Sequence, residues 1–134
     1  MISNSDRPRL LFSYLSPTSF VKDDRALLEK YYDVRAFHFD AENNASARGL
    51  ARLWGRQLQW LLRELPKADL VYGWFADHHA VLPVTLGRWF GVPTAIVLGG
   101  MDCNWLPEYD YGVWDSRWRA PLVRWAVQQA DVLP

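Results

Sequence analysis

The segment DLVYGWFADHHAVLPVTLGRWFGVPTAIVL, residues 69–98, predicts two buried strands joined by a helix. Asp69–Phe75 and Thr94–Leu98 are short apolar runs, and the second is rich in β-branched residues. Between them, His78–Phe90 has apolar residues at helical spacing, and Gly91-Val92-Pro93 ends the helix. A strand, a helix and a strand in this order predict a parallel pair with a right-handed crossover.

The same alternation continues on both sides of this segment. Arg9–Tyr14 is a short apolar run that predicts a buried strand, and Val34–Phe39 alternates like a strand nearer a sheet edge. Ala47–Leu65 is the clearest helix, ended by Pro66, and Ser116–Gln129 predicts the last one. We therefore expect an α/β fold, a Rossmann-like open parallel sheet with helices on both faces.

Apolar spacing also predicts which face of each helix packs on the sheet. We expect the first helix to begin at Ser16, with Asp23 and Asp24 near the positive end of its dipole. The predicted core residues of the four helices, in chain order, are Phe20, Leu27, Leu28 and Tyr31; Leu50, Leu53, Trp54, Leu58, Leu61, Leu62 and Leu65; Leu82, Leu86 and Trp89; and Trp118, Leu122, Trp125 and Ala126.

Length and charge limit the class of protein. A chain of 134 residues suits one domain, and 15 basic against 15 acidic residues give no overall field for nucleic acid. Cys103 is alone, so no internal disulfide is expected, and no apolar run approaches the length of a bilayer span. Ala130–Pro134 begins like a fifth strand at the chain end, which predicts a truncated domain.

Ligand contacts are expected in four loops, because an open parallel sheet binds ligands at the carboxyl ends of its strands. The loops are Ser16–Phe20, Asp40–Asn44, Ala76–His79 and Gly99–Asp115.

The first and third of these loops offer polar residues. Ser16, Thr18 and Ser19 could contact a phosphate or a sugar hydroxyl, although plain helix capping is the commoner role. Asp77 could cap a helix or bind substrate, and His78 could be a surface residue or a substrate contact. No Gly-rich nucleotide motif occurs, and no metal site is expected because no ligands have suitable spacing.

The fourth loop has the strongest signal. Gly99 and Gly100 follow an apolar strand and allow close backbone approach, and Asp102 then presents a carboxylate. Tyr109 belongs to a group of aromatic residues that could stack on sugar rings. The same residues could instead pack beneath a partner domain, and residue types alone leave both readings open.

Arginines spaced four residues apart mark the long helix. Arg48, Arg52 and Arg56 form a stripe that Trp60 continues. Such a stripe can lie on an anionic bilayer surface, although a solvated polar face is the commoner explanation.

Residues 68–112, ADLVYGWFADHHAVLPVTLGRWFGVPTAIVLGGMDCNWLPEYDYG, resemble the N-terminal domain of family 4-like glycosyltransferases of the GT-B fold. The shared pattern is an Ala-Asp strand, a helix ending in G-[VIK]-P, an apolar strand, and G-G-x-D. The closing RWAVQQADVLP, residues 124–134, and the early SPTSFVKDDRALLEKYYDVRAFHF, residues 16–39, are similar to the same family. The likeness covers nearly the whole chain.

The resemblance implies a retaining transfer of sugar from a nucleotide-sugar donor to a glycan, lipid or small-molecule acceptor, without a required metal or other cofactor. Residues 1–134 would be the acceptor-side domain, with the donor-binding C-terminal domain absent and the fragment inactive alone. Gly100 and Asp102 match the G-x-D motif, so Asp102 is the catalytic candidate. Gly99 stands where many members carry a histidine.

The composition, with its single cysteine, fits a cytoplasmic protein, and the balanced charge predicts no binding of nucleic acid. Peripheral contact at the inner membrane face is an open alternative. A different class of function stays open as well. The chain could be a stand-alone binding or assembly module, in which Gly99–Tyr111 docks a partner protein.

Overall fold

The computed structural model describes residues 6–15, 17–40, 43, 46–74, 78–97 and 119–131. These residues form a four-stranded, wholly parallel sheet with helices on both faces, which confirms the predicted fold class. The strands are β1 (Arg9–Tyr14), β2 (Asp33–His38), β3 (Leu70–Trp74) and β4 (Thr94–Val97). The helices are α1 (Ser19–Leu28), α2 (Ala47–Glu64), α3 (Val81–Trp89) and α4 (Arg119–Gln129), with short 3₁₀ turns at Leu65–Lys67 and His78–Ala80.

The strand order is β2-β1-β3-β4, so the strands that follow β1 in the chain lie first on one side of it and then on the other. From β1 the chain crosses to β2 on one side, and from β2 it returns past β1 to β3 and β4 on the other. The edge position of β2 agrees with its alternating pattern. Connections that leave β1 and β3 in opposite directions open a crevice at the carboxyl ends of these two strands.

The two faces of the sheet are buried by different helices. Leu10 and Phe12 of β1 pack with Val21 of α1 on one face. Leu11 points to the other face, where it packs with Leu61 of α2 and Leu86 of α3. On that same second face, Ile96 of β4 packs with Val84 of α3 and with Val123 and Ala126 of α4. Burial on both faces is typical of a parallel sheet.

Two glycines let α3 lie close to β4 and then turn sharply into it. A Cβ on Gly87 would lie 2.7 Å from Thr94 Cγ2, so only glycine fits that helix–strand contact without a shift. Gly91 has a φ of 70° and ends the helix, with its N–H bonded to Arg88 O and the Val92 N–H bonded to Gly87 O. This is the Schellman arrangement, which glycine adopts at low cost.

Aspartates fix the starts of two strands in the same way. The Asp69 N–H donates to Arg9 O at 2.8 Å, and the Arg9 N–H donates to Asp69 Oδ2 at 2.8 Å. The Asp131 N–H donates to Thr94 O at 3.0 Å, and the Thr94 N–H donates to Asp131 Oδ2 at 2.9 Å. Asp131 therefore lies beside β4 as Asp69 lies beside β1. The rest of the predicted fifth strand, residues 132–134, is outside the described part of the chain.

Helix α1 differs from its prediction in start and in rotation. It begins at Ser19 and is capped by Thr18, not by Ser16, so Asp23 and Asp24 fall beyond the first turn. Val21 is buried in the core, whereas Phe20, Leu27 and Tyr31 are 73%, 51% and 66% exposed. Of the four residues predicted to face the core, Leu28 alone packs against it.

The other helix faces also contain exceptions. In α2 the polar side chain of Gln57 is fully buried, whereas Leu58 and Leu62 are exposed. Trp89 of α3 and Trp125 of α4 were predicted to be core residues, but they are exposed. The helix predicted to start at His78 begins at Val81, after the 3₁₀ turn. Within the described ranges, none of the helices has the length and apolar character needed to cross a bilayer.

Candidate functional site

The crevice edge is formed by the last residues of three neighbouring strands. Tyr14 of β1 is in register with His38 of β2 on one side and with Trp74 of β3 on the other. All three side chains are partly exposed. Aromatic and imidazole groups that end adjacent parallel strands are well placed to contact a ligand in the crevice.

Asp24 of α1 is held by two donors from β3. Tyr72 Oη donates to Asp24 Oδ2 at 2.7 Å, and Trp74 Nε1 donates to the same oxygen at 2.6 Å. Burial, together with the hydrogen bond to Asp24 and the charge of Asp24, raises the pKa of Tyr72 far above its ordinary value. The phenol therefore stays protonated and remains a donor to the carboxylate.

His38 is fixed on the other side of β1. Its ring stacks on Tyr14 with the ring centres 4.8 Å apart and the planes 2° from parallel. His38 Nε2 lies 3.0 Å from Leu15 O, and because a carbonyl oxygen only accepts, Nε2 carries the hydrogen. The two side chains therefore form a stacked pair at the carboxyl ends of β1 and β2.

A buried polar bridge lies under the β3–α3 connection. Gln57 Nε2 donates to His79 O at 2.8 Å and to Ser13 Oγ at 3.3 Å. His79 Nε2 donates to Trp74 O at 2.7 Å. Gln57 and His79 are fully buried, so the bridge ties β1, α2 and the end of β3 together in a place without water competition.

Three of the predicted site residues lie within the described ranges. Thr18 uses its hydroxyl as a helix cap, because Oγ1 accepts from the Val21 N–H at 3.4 Å. Ser19 is the first residue of α1 and is exposed. His78 begins the 3₁₀ turn after β3, and its side chain is outside the description. The remaining six also lie outside the described residues: Ser16, Asp77, Gly99, Gly100, Asp102 and Tyr109.

Sequence reasoning missed Asp24, His38, Gln57 and Trp74 as residues of this region. His38 and Trp74 could have been found, because each lies at or next to the last position of a predicted strand and must end at the crevice edge. Asp24 could have been found by its spacing, since it shares a helix face with Val21 and Leu28.

Within the described residues, no group of three or more His, Cys, Asp or Glu side chains could hold a metal ion.

The chain was also compared with known proteins. No protein-family model, no curated protein and no solved structure matches it.

Proposed function

We propose that this chain is the acceptor-side, N-terminal domain of a retaining glycosyltransferase. The enzyme would transfer a sugar from a nucleotide-sugar donor to a glycan, lipid or small-molecule acceptor. The observation that supports this best is the strand order β2-β1-β3-β4, because open parallel sheets bind ligands where the strand order reverses, here between β1 and β3. The resemblance of residues 68–112 supplies the reaction class.

The reaction joins an acceptor oxygen to the anomeric carbon and breaks the bond from that carbon to the diphosphate. The acceptor hydroxyl loses its proton, and the departing phosphate oxygen takes it up. In this proposal the C-terminal domain of the same protein holds the donor, and Asp102 accepts a hydrogen bond from the acceptor hydroxyl. Gly100 and Asp102 follow β4 closely in sequence, and β4 ends at Val97 at the carboxyl edge of the sheet.

The experiment uses the protein as its gene encodes it, with a panel of radiolabelled nucleotide sugars and sugar or lipid acceptors. We expect transfer with retained configuration, and Asp102→Asn should lower kcat/KM by about 100-fold. Asp110→Asn, in the same loop, is the matched control. Residues 1–134 alone should transfer no sugar. The proposal fails if the complete protein transfers no sugar, or if Asp102→Asn behaves like Asp110→Asn.

Exposed aromatic rings on α3 and α4 favour a second candidate, a non-catalytic assembly module. Trp89 is 77% exposed, and Trp125 is 45% exposed, with Trp125 Nε1 donating to Thr85 Oγ1 at 2.8 Å. Large exposed aromatic groups are typical of protein interfaces. A stable complex with a second domain that Trp89→Ser disrupts, without any sugar transfer, would support this candidate instead.

A further inference from the structure

We propose that Phe20, Asp24 and Trp74 form a subsite for one neutral sugar ring on the α1 wall of the crevice. This inference rests on the proposed glycosyltransferase function and narrows it, because it assigns a sugar to the acceptor. The three residues come from α1 and from the last position of β3, the two elements that border the crevice on this face.

Asp24 supplies a carboxylate whose orientation is fixed. Both donors, Tyr72 Oη and Trp74 Nε1, bond the same oxygen, Oδ2. Within the described part of the chain Oδ1 accepts no hydrogen bond, and Asp24 is only partly buried. A carboxylate oxygen can accept from two hydroxyl groups, and such charge-assisted bonds are stronger than neutral ones. Sugar hydroxyls are donors of the required kind.

Phe20 supplies an apolar ring beside that carboxylate. It lies four residues before Asp24, so the two side chains occupy neighbouring positions on one helix face. Since α1 runs opposite to the strands and helical side chains tilt toward the helix start, Phe20 lies nearer the carboxyl edge than Asp24. Its side chain is 73% exposed, which leaves a ring face for the C–H groups of a sugar.

Trp74 of β3 supplies the second aromatic ring, which is bonded to Asp24. Its indole nitrogen is bonded to Asp24 at 2.6 Å, so the ring is held next to the carboxylate. A fixed carboxylate with two aromatic rings matches a sugar, which offers hydroxyl groups at its edge and C–H groups on its face.

The negative charge of Asp24 excludes the nucleotide-sugar donor from this subsite. Asp24 would repel the diphosphate of a nucleotide sugar. Of the two cations on α1, Arg25 is paired with Glu29 at 2.9 Å, and Lys22 lies two residues from Asp24 and so on a different helix face. A neutral acceptor sugar fits the subsite, whereas a phosphate group does not.

The test is a titration of the chain with methyl glucoside, methyl mannoside, methyl galactoside and methyl N-acetylglucosaminide, followed by NMR and tryptophan fluorescence. We expect at least one glycoside to bind. Phe20→Ala should weaken that binding about fivefold, the size of one aromatic contact. Asp24→Asn should weaken it by at least about tenfold, as for a hydrogen bond to a charged group.

Two control variants lie on the same helix. Leu27→Ala removes another exposed apolar side chain, and Asp23→Asn removes another exposed carboxylate. Both should bind glycoside within about twofold of the unchanged chain, as expected for surface substitutions outside a contact. Because Phe20 is exposed, Phe20→Ala should also keep its unfolding temperature, so a loss of affinity cannot be a loss of folding.

The other outcomes contradict the subsite, and they show whether the glycosyltransferase proposal fails with it. If a glycoside binds and both Phe20→Ala and Asp24→Asn bind it as tightly as before, the subsite is wrong and the glycosyltransferase proposal stands. The same holds if the complete enzyme glycosylates a sugar with an unchanged acceptor KM in both variants. If no glycoside binds, the subsite is wrong. Disruption of a protein complex by both Phe20→Ala and Leu27→Ala would then identify this face of α1 as a protein contact. If the complete protein also transfers no sugar, both proposals fail.

Discussion

At the scale of single residues, burial and the neighbouring Asp24 determine the ionisation of Tyr72. Desolvation and the neighbouring carboxylate raise the pKa of Tyr72, so its protonated form is favoured in the folded chain. The stabilisation that this gives is fully present below the unfolded pKa of about 10 and is lost as the pH rises toward the higher folded value.

We therefore expect an alkaline titration of phenolate absorbance to show one tyrosine that ionises above the others. Tyr72→Phe should remove that step, and Asp24→Asn should move it to lower pH. Tyr31→Phe, which changes an exposed side chain, should leave the step in place. A titration of Tyr72→Phe that keeps the late step would show that another tyrosine causes it.

The buried amide of Gln57 gives a second prediction for a single residue. Gln57→Met keeps the length of the side chain but removes the donor to His79 O and Ser13 Oγ. Losing these two buried hydrogen bonds should lower the free energy of unfolding by about 1–3 kcal/mol, measured by urea denaturation. Gln59→Met, on the exposed side of the same helix, should change it by less than about 0.5 kcal/mol. Equal stability of the two variants would contradict a structural role for the bridge.

At the scale of elements, glycines in two helices should respond in opposite directions to the same substitution. Gly87→Ala places a Cβ 2.7 Å from Thr94 Cγ2 and should destabilise the chain by about 1–3 kcal/mol. Gly55→Ala in α2 meets nothing within 4 Å and should stabilise it by about 0.5–1 kcal/mol. Thermal unfolding of the two variants measures both effects. A neutral Gly87→Ala would mean that α3 can move away from β4 at little cost.

The arginine stripe of α2 has one feature that the sequence did not predict. Arg48, Arg52 and Arg56 are exposed, but Trp60 packs on Phe37 with ring centres 5.3 Å apart and so belongs to the sheet contact. Membrane contact would therefore depend on charge rather than on a tryptophan anchor.

In a liposome sedimentation assay with anionic lipid, changing all three arginines to Glu should weaken binding by at least about 100-fold. Each basic residue near such a surface contributes about 1 kcal/mol, which explains that size. Liposomes of neutral lipid are the control and should bind neither protein. If the triple variant sediments like the unchanged protein, the membrane prediction is removed.

Strand positions were predicted more accurately than helix rotation. Strand β1 matches its predicted bounds, β2 is shifted by one residue, β3 begins one residue later than predicted, and β4 begins where predicted. The predicted last residues of β3 and β4, Phe75 and Leu98, lie outside the described residues. In α1, apolar spacing predicted Phe20, Leu27, Leu28 and Tyr31 as core residues, whereas the structure buries Val21 and keeps only Leu28 of that set against the core. This rotation also brings Asp24 to its donors on β3, a contact that apolar spacing does not take into account.

For the whole molecule, alternation of strands and helices was enough to predict a parallel sheet covered on both faces. It did not predict the buried polar bridge, because Gln57 and His79 meet only after β1, α2 and β3 are assembled. The order of the strands, and with it the position of the crevice, also depends on contacts between distant segments. The proposed function therefore rests on the sequence resemblance together with this crevice.

The aspartates at strand starts have a consequence for how the sheet is assembled. Each carboxylate accepts a hydrogen bond from the first backbone N–H of the adjacent strand. If that strand were shifted along its own axis, the carboxylate would lose this donor. Asp69 thus sets the alignment of β3 on β1, and Asp131 marks the same alignment point on β4. A chain made from its N-terminus can add these edges one after another, each against a neighbour that already exists.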